Sequence, residues 1–205
     1  MRDTDNIREV SASGADWIGM IFYHKSPRYI GEDNSSLYDE IHYQGRRVKK
    51  VGVFVNATPE EMMECTTRYK LDFIQLHGNE SPEVCCSLQR RGIGVIKALS
   101  VESTEDIKAA DDYEGRVDYL LFDTKCSNYG GSGKMFDWTV LSSYKGKTPF
   151  LLSGGINPEC LDEVKTFSHP MLVGIDINSG FEISPALKDA GLITHFIENI
   201  KNNKI

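Results

Sequence analysis

The sequence predicts an α/β protein: a (β/α)8 TIM barrel lacking its first strand, with seven strands and eight helices in one domain over residues 1–205. Three observations carry that prediction. Seven short apolar runs recur along the chain, helix-start signals fall between them, and the chain opens on a helix where the alternation calls for a strand. Runs that are apolar throughout, not alternating, fit strands covered on both faces, and therefore a parallel sheet. Strand–helix units that recur without a linker or a composition break fit a barrel better than two domains. An open doubly wound sheet would carry G-x-G-x-x-G after an early strand, and no such string is present.

The first helix starts at Asp3 or Thr4, carries Ile7 and Val10 on one face and ends at Ser13, with Gly14 as its stop. Strands follow at residues 17–22, 51–55, 73–77, 95–98, 119–122, 150–152 and 172–175. Between them, Thr58-Pro59-Glu60-Glu61 combines a capping box with proline at the first helical position. Ser81-Pro82-Glu83 and Asn157-Pro158-Glu159 repeat the cap, proline, acid order. The last helix places Ile193, Phe196, Ile197 and Ile200 at i, i+3, i+4 and i+7, a stripe that should lie on the sheet.

Composition narrows the function. A chain of 205 residues, 40% hydrophobic and 26% charged, can bury a sizeable core. Its 23 basic and 30 acidic side chains give a net charge of -7, without long runs, which argues against nucleic-acid or anionic-membrane partners. No apolar stretch approaches the roughly 20 residues of a membrane span, and the start has no basic or apolar leader pattern, so a cytoplasmic protein is expected. Five cysteines without paired CxxC clusters support neither disulfides nor a zinc site, and no metal is expected.

In a barrel, chemistry belongs on the loops after strand C-termini. Reading those positions gives Arg28, His77, Asp123, Ser153-Gly154-Gly155 and Asp176-Ile177-Asn178-Ser179-Gly180. Gly154-Gly155 leads into a capped helix, and Ser179-Gly180 follows the next strand, so two adjacent loops offer backbone N–H groups to a phosphate. Either loop alone would more often be a tight turn. Asp123 ends an apolar run, where a partly desolvated carboxyl suits a general acid, the bland alternative being an ion pair with lysine. Arg28 offers a planar fork for a carboxylate, flanked by Tyr23 and Tyr29. His77 has even claims as a structural residue and as a lining one. Residues 129–134 form a glycine-rich loop without P-loop spacing, which discounts a nucleotide.

Taken together, these strings resemble one family, the phosphoribosylanthranilate isomerases of tryptophan biosynthesis. The resemblance rests on Ser13-Gly14-Ala15-Asp16, Phe22-Tyr23-His24-Lys25-Ser26-Pro27-Arg28-Tyr29-Ile30, Val51-Gly52-Val53-Phe54-Val55-Asn56, Ile74-Gln75-Leu76-His77-Gly78, Leu121-Phe122-Asp123-Thr124-Lys125, Gly130 to Trp138, Leu152-Ser153-Gly154-Gly155-Ile156-Asn157-Pro158 and Asp176-Ile177-Asn178-Ser179-Gly180, in family order. It implies an Amadori rearrangement of N-(5'-phosphoribosyl)anthranilate to 1-(2-carboxyphenylamino)-1-deoxyribulose 5-phosphate, with no cofactor. It further implies that Asp123 is the general acid, that Arg28 pairs with the anthranilate carboxylate, that Gly154, Gly155, Ser179 and Gly180 hold phosphate, and that Asp176 sits near the ribose. The family's base is a cysteine in a Lys-x-Cys-Gly string ending the first strand, and Met1 falls where the following residue would be. The expectation is therefore a chain impaired in catalysis, with Cys126 a poor surrogate base, and with exposed barrel edges through which copies could associate. Two alternatives stand beside it: a non-catalytic remnant that binds phosphorylated ligands, and another phosphate-barrel enzyme such as indole-glycerol-phosphate synthase. The latter would need catalytic lysines on early strands, and none stands at a matching position, although Lys97 lies on a strand.

Overall fold

A computed structural model describes residues 1–31, 36, 41–124 and 138–201. The chain begins with helix α1 (Thr4–Ser11), then strand β1 (Trp17–Ile21), a small antiparallel hairpin of β2 (His42–Tyr43) and β3 (Arg46–Arg47), and strand β4 (Lys49–Phe54). Helix α2 (Pro59–Tyr69), strand β5 (Phe73–Leu76), helix α3 (Pro82–Arg90), strand β6 (Gly94–Val101) and strand β7 (Tyr119–Thr124) follow. Strand β8 (Phe150–Ser153), helix α4 (Leu161–Thr166) and strand β9 (Leu172–Ile175) lead to a second hairpin, β10 (Glu182–Ser184) and β11 (Leu187–Lys188). Helix α5 (Ala190–Lys201) closes the described chain. The seven long strands form one parallel sheet in the order β1-β4-β5-β6-β7-β8-β9, with the register unbroken until a shift between Phe150 and Leu151. All seven expected strands are present, and β1 and β9 are the sheet's two edges among the described residues.

The double burial that the apolar runs foretold has two distinct cores. One face of each strand, with Ile74, Leu76, Val95, Leu120, Phe122, Phe150 and Leu152, packs under the helices. The other face curls round its own smaller cluster of Val51, Phe73, Ile96, Ala98, Leu121 and Leu151. Stacking of Trp17 on Phe73 at 4.6 Å, with Lys49 above both rings, closes the lower end of that interior. Because side chains alternate along a strand, the residue two places beyond an inner apolar one also points inward. Gln75 follows Phe73, Asp123 follows Leu121 and Ser153 follows Leu151 in this way, and Asp123 and Ser153 are register partners. These three inward positions at the C-terminal end of the sheet are polar where the preceding ones are apolar.

Helix starts follow local chemistry. The Asn6 N–H donates to the Asp3 carboxylate at 2.8 Å to cap α1. At α2 the expected capping box is complete: Glu61 N–H donates to Thr58 Oγ1, and Thr58 N–H to the Glu61 carboxylate. Ser81 precedes Pro82 at the start of α3 but makes no side-chain cap. Ile193, Phe196 and Ile200 of α5 are buried as the stripe requires, while Ile197 is only partly so.

The helices that follow the strands are not all α-helical among the described residues. Five α-helices are present among the described residues, and residues 106–113 and 138–143 form 3-10 segments instead. In the first of these only Ile107 and Ala110 are buried, too narrow an apolar stripe to favour an α-helix over a tighter turn. The β1-to-β4 connection contains the unforeseen β2–β3 hairpin. Residues 125–137, which carry Cys126 and the glycine-rich loop, lie outside the described residues.

Candidate functional site

A cavity of about 1330 Å³ opens at the C-terminal end of the sheet and continues down the groove between β1 and β9. Arg28, His77, Asp123, Gly154, Gly155, Asp176 and Ser179 all line it. Gly180, the remaining candidate, does not face the cavity but packs behind it. A Cβ there would collide with the Ile156 carbonyl oxygen and lie 2.8 Å from Asn157 Cβ, so the two glycine loops touch because position 180 is side-chain-free. Gly154 and Gly155 have φ of 91° and 64°, a left-handed path that a side chain would strain.

The capped helix that follows Gly154-Gly155 does not start as an α-helix. A 3-10 turn at Pro158–Cys160 comes first, capped by Asn157, whose side-chain oxygen accepts from the Glu159 N–H at 2.9 Å. Only then does the six-residue α4 begin. Ser179–Phe181 is likewise a 3-10 turn. Proline at residue 158 fixes the turn but also removes a donor, so individual backbone N–H groups, and not a helix dipole, are what these loops can present to an anion.

Asp123, about one-third exposed, lies 3.3 Å from His77 Nε2. On the other side of the ring, the Gln75 amide Nε2 is 3.1 Å from His77 Nδ1. With that amide orientation Nδ1 accepts, the ring proton sits on Nε2, and His77 donates to Asp123. Gln75 is buried and was not singled out in the sequence, although its inward position two residues after Phe73 is readable. Asp176 accepts from Ser153 Oγ at 2.9 Å. Desolvation at the cavity base raises the Asp176 carboxyl above its ordinary 3.8, against the opposing effects of the Ser153 hydrogen bond and nearby His77.

Arg28 is already engaged. Its Nε lies 3.0 and 2.8 Å from the two oxygens of Glu182, and its Nη2 2.7 Å from Oε2. Lys188 Nζ stands 3.0 Å from Glu182 Oε1. Glu182 and Lys188 were missed by sequence reasoning: they lie in a hairpin without a motif, and Arg28 is 154 positions from Glu182.

Behind the site, Lys97 is buried and donates to Gly78 O at 2.6 Å and to Glu80 at 2.9 Å. Glu80 in turn accepts from the Asn56 and Gly78 N–H groups at 2.7 and 2.9 Å. This network holds the loops after β4 and β5, and with them His77. It also consumes Lys97, which does not line the cavity, and so removes the one sequence feature that favoured a lysine-dependent synthase. Among the described residues no three His, Cys, Asp or Glu side chains cluster as metal ligands.

The sequence model described as PRAI, N-(5'phosphoribosyl)anthranilate (PRA) isomerase, matches residues 1–199. The chain belongs to this family. The N-(5'-phosphoribosyl)anthranilate isomerase of Parabacteroides distasonis is 54% identical over 200 residues, covering 98% of this chain and 90% of that protein. Phosphoribosyl anthranilate isomerase from Thermotoga maritima superposes with a TM-score of 0.84 at 36% identity, over 98% of this chain and 96% of that one. A crystal structure of the isomerase with reduced 1-(o-carboxyphenylamino)-1-deoxyribulose 5-phosphate gives 0.82 at 33% identity, covering 98% and 95%. The described phosphoribosylanthranilate isomerase fold is thus a seven-stranded parallel sheet with a polar mouth, and no described helix is long and apolar enough to cross a membrane.

Proposed function

We propose that this site binds N-(5'-phosphoribosyl)anthranilate and promotes its Amadori rearrangement. The observation that carries the reading is the presence, on one cavity, of an acid, Asp123, a carboxylate-binding fork, Arg28, and the Gly154-Gly155 and Ser179 loops. Asp123 protonates the furanose ring oxygen, the C1–O bond breaks, and the anthranilate nitrogen becomes a Schiff base. Loss of the C2 proton then gives an enol amine, which takes a proton at C1 and leaves a ketone at C2. His77 orients the Asp123 carboxyl, Asp176 contacts the ribose hydroxyls, and the glycine loops hold the phosphate, with Gly180 setting their spacing.

On this reading the protein works in the cytoplasm on a small phosphorylated molecule.

Calorimetric titration with the reduced product analogue tests binding, and turnover of phosphoribosylanthranilate tests chemistry. Asp123→Asn should leave analogue affinity within about threefold and remove most of whatever turnover the parent chain has, because the lost proton is needed only as the ring opens. Analogue binding without any turnover in either protein would favour a ligand-binding remnant.

A further inference from the structure

We propose that Lys188 makes the site selective for a carboxylate-bearing ligand by neutralising Glu182, so that Arg28 keeps its positive charge for that ligand. This rests on the proposed function above. In the structure, Glu182 takes the Arg28 Nε–H and one Nη2–H, and its side chain is only 4% exposed. The Arg28 side chain is 24% exposed and lines the cavity, so part of the guanidinium still faces a ligand. An Arg28–Glu182 pair alone is electrically neutral, however, and a carboxylate approaching it would be repelled by Glu182 nearly as strongly as it is attracted by Arg28.

Lys188 changes the balance. Its side chain is 12% exposed, and its ammonium lies on Glu182 Oε1 and brings the trio to a net single positive charge. It does so without competing for the ligand. The ammonium has three hydrogens, and three acceptors take them: Glu182 Oε1, the Asn178 carbonyl at 2.8 Å and the Asn178 side-chain oxygen. Lys188 therefore contributes charge and no direct contact.

The hairpin is shaped for this pairing. Ala186 takes a left-handed φ of 71° at the turn, and its N–H donates to Glu182 at 3.2 Å while β11 folds back on β10. Asn6 then clamps the Lys188 backbone from α1, donating to its carbonyl at 2.7 Å and accepting from its N–H at 2.9 Å. Hydrogen bonds lower the Glu182 carboxyl below its ordinary value despite burial, so the acid is ionised and needs its counter-charge. Asn178 directly precedes Ser179, and Lys188 thereby also ties the phosphate loop to the trio that holds Arg28.

The test compares two ligands: the reduced product analogue and the same compound without its ring carboxylate. In Lys188→Met the carboxylate ligand should bind about tenfold more weakly or worse, as expected for loss of a unit charge a few ångströms away at intermediate dielectric, while the decarboxylated ligand is unchanged. Lys188→Arg should restore the preference. Glu182→Gln, which raises the net charge of the trio, should strengthen the preference for the carboxylate ligand, and serves if Lys188→Met does not fold. Equal weakening of both ligands in Lys188→Met would make Lys188 a structural clamp and overturn the inference. An unchanged or smaller preference in Glu182→Gln would overturn it too. If neither ligand binds the parent chain, the proposed function fails and this inference falls with it.

Discussion

Asp176 carries a conflict that a single substitution can expose. Burial of its carboxyl favours the neutral form, yet the sugar hydroxyls proposed as its ligands want an ionised acceptor. A carboxyl whose folded pKa lies above its unfolded 3.8 weakens the fold as pH rises from the unfolded value through the folded one. Asp176→Asn removes that cost while its side-chain oxygen can still accept from Ser153. Thermal unfolding at pH 7 should show a gain of about 0.5–2 kcal/mol, with weaker analogue binding; lower stability would mean that the charge is compensated in place. Asp123, His77 and Asp176 could be read from the sequence because each follows a strand's apolar run, and strand periodicity fixes where it points. Gln75 was equally readable by that rule, but only once the inner face is known. Glu182 and Lys188 were not, since nothing local distinguishes them from solvated surface charges.

At the level of elements, the seven strands were legible because burial on two faces writes a continuous apolar run, a signal that no surface element imitates. The 3-10 segments and both hairpins were not, since two-residue strands carry no period and 3-10 turns share the composition of loops. The pairing of the two glycine loops was half legible: their adjacency follows from strand order, whereas the packing of Gly180 against Ile156 and Asn157 follows only from coordinates. That packing is testable with one methyl group. In Gly180→Ala the new Cβ must push the 154–157 loop away, and the partner is backbone that cannot rotate aside. Stability should fall by about 1–3 kcal/mol, as in overpacked sites. Inorganic phosphate and the analogue should both bind more weakly, whereas Arg28-dependent carboxylate preference should be unaffected. Unchanged phosphate affinity would separate the two loops functionally and remove Gly180 from the site.

For the whole molecule, the sheet edges and the buried charges set the behaviour in solution. Among the described residues β1 and β9 each have a neighbour on one side only, and Val173 of β9 is 53% exposed, so copies are expected to associate along these edges. Sedimentation at rising concentration checks this, and a monomer throughout would contradict it. Acid should be more damaging still. Burial alone would raise the Glu80 carboxyl, but hydrogen bonds from Lys97 and the Asn56 N–H overcome it and hold the group below its ordinary 4.5. A depressed carboxyl gives stability that is fully present above about 4.5 and is lost as pH falls through its folded value, by at most about 1.4 kcal/mol per pH unit for one proton. Glu182 acts in the same direction, and Asp176, being raised, opposes them. Denaturant midpoints should therefore fall as pH drops below about 4.5. Glu80→Gln should cost about 3–5 kcal/mol at pH 7, since it strands a buried lysine, while Glu80→Gln with Lys97→Met should recover most of that loss. The double variant should also titrate more shallowly below pH 4.5, because the carboxyl whose proton uptake drove the transition is gone. An acid limb as steep as the parent's would move the origin of acid unfolding away from this pair and onto the site itself.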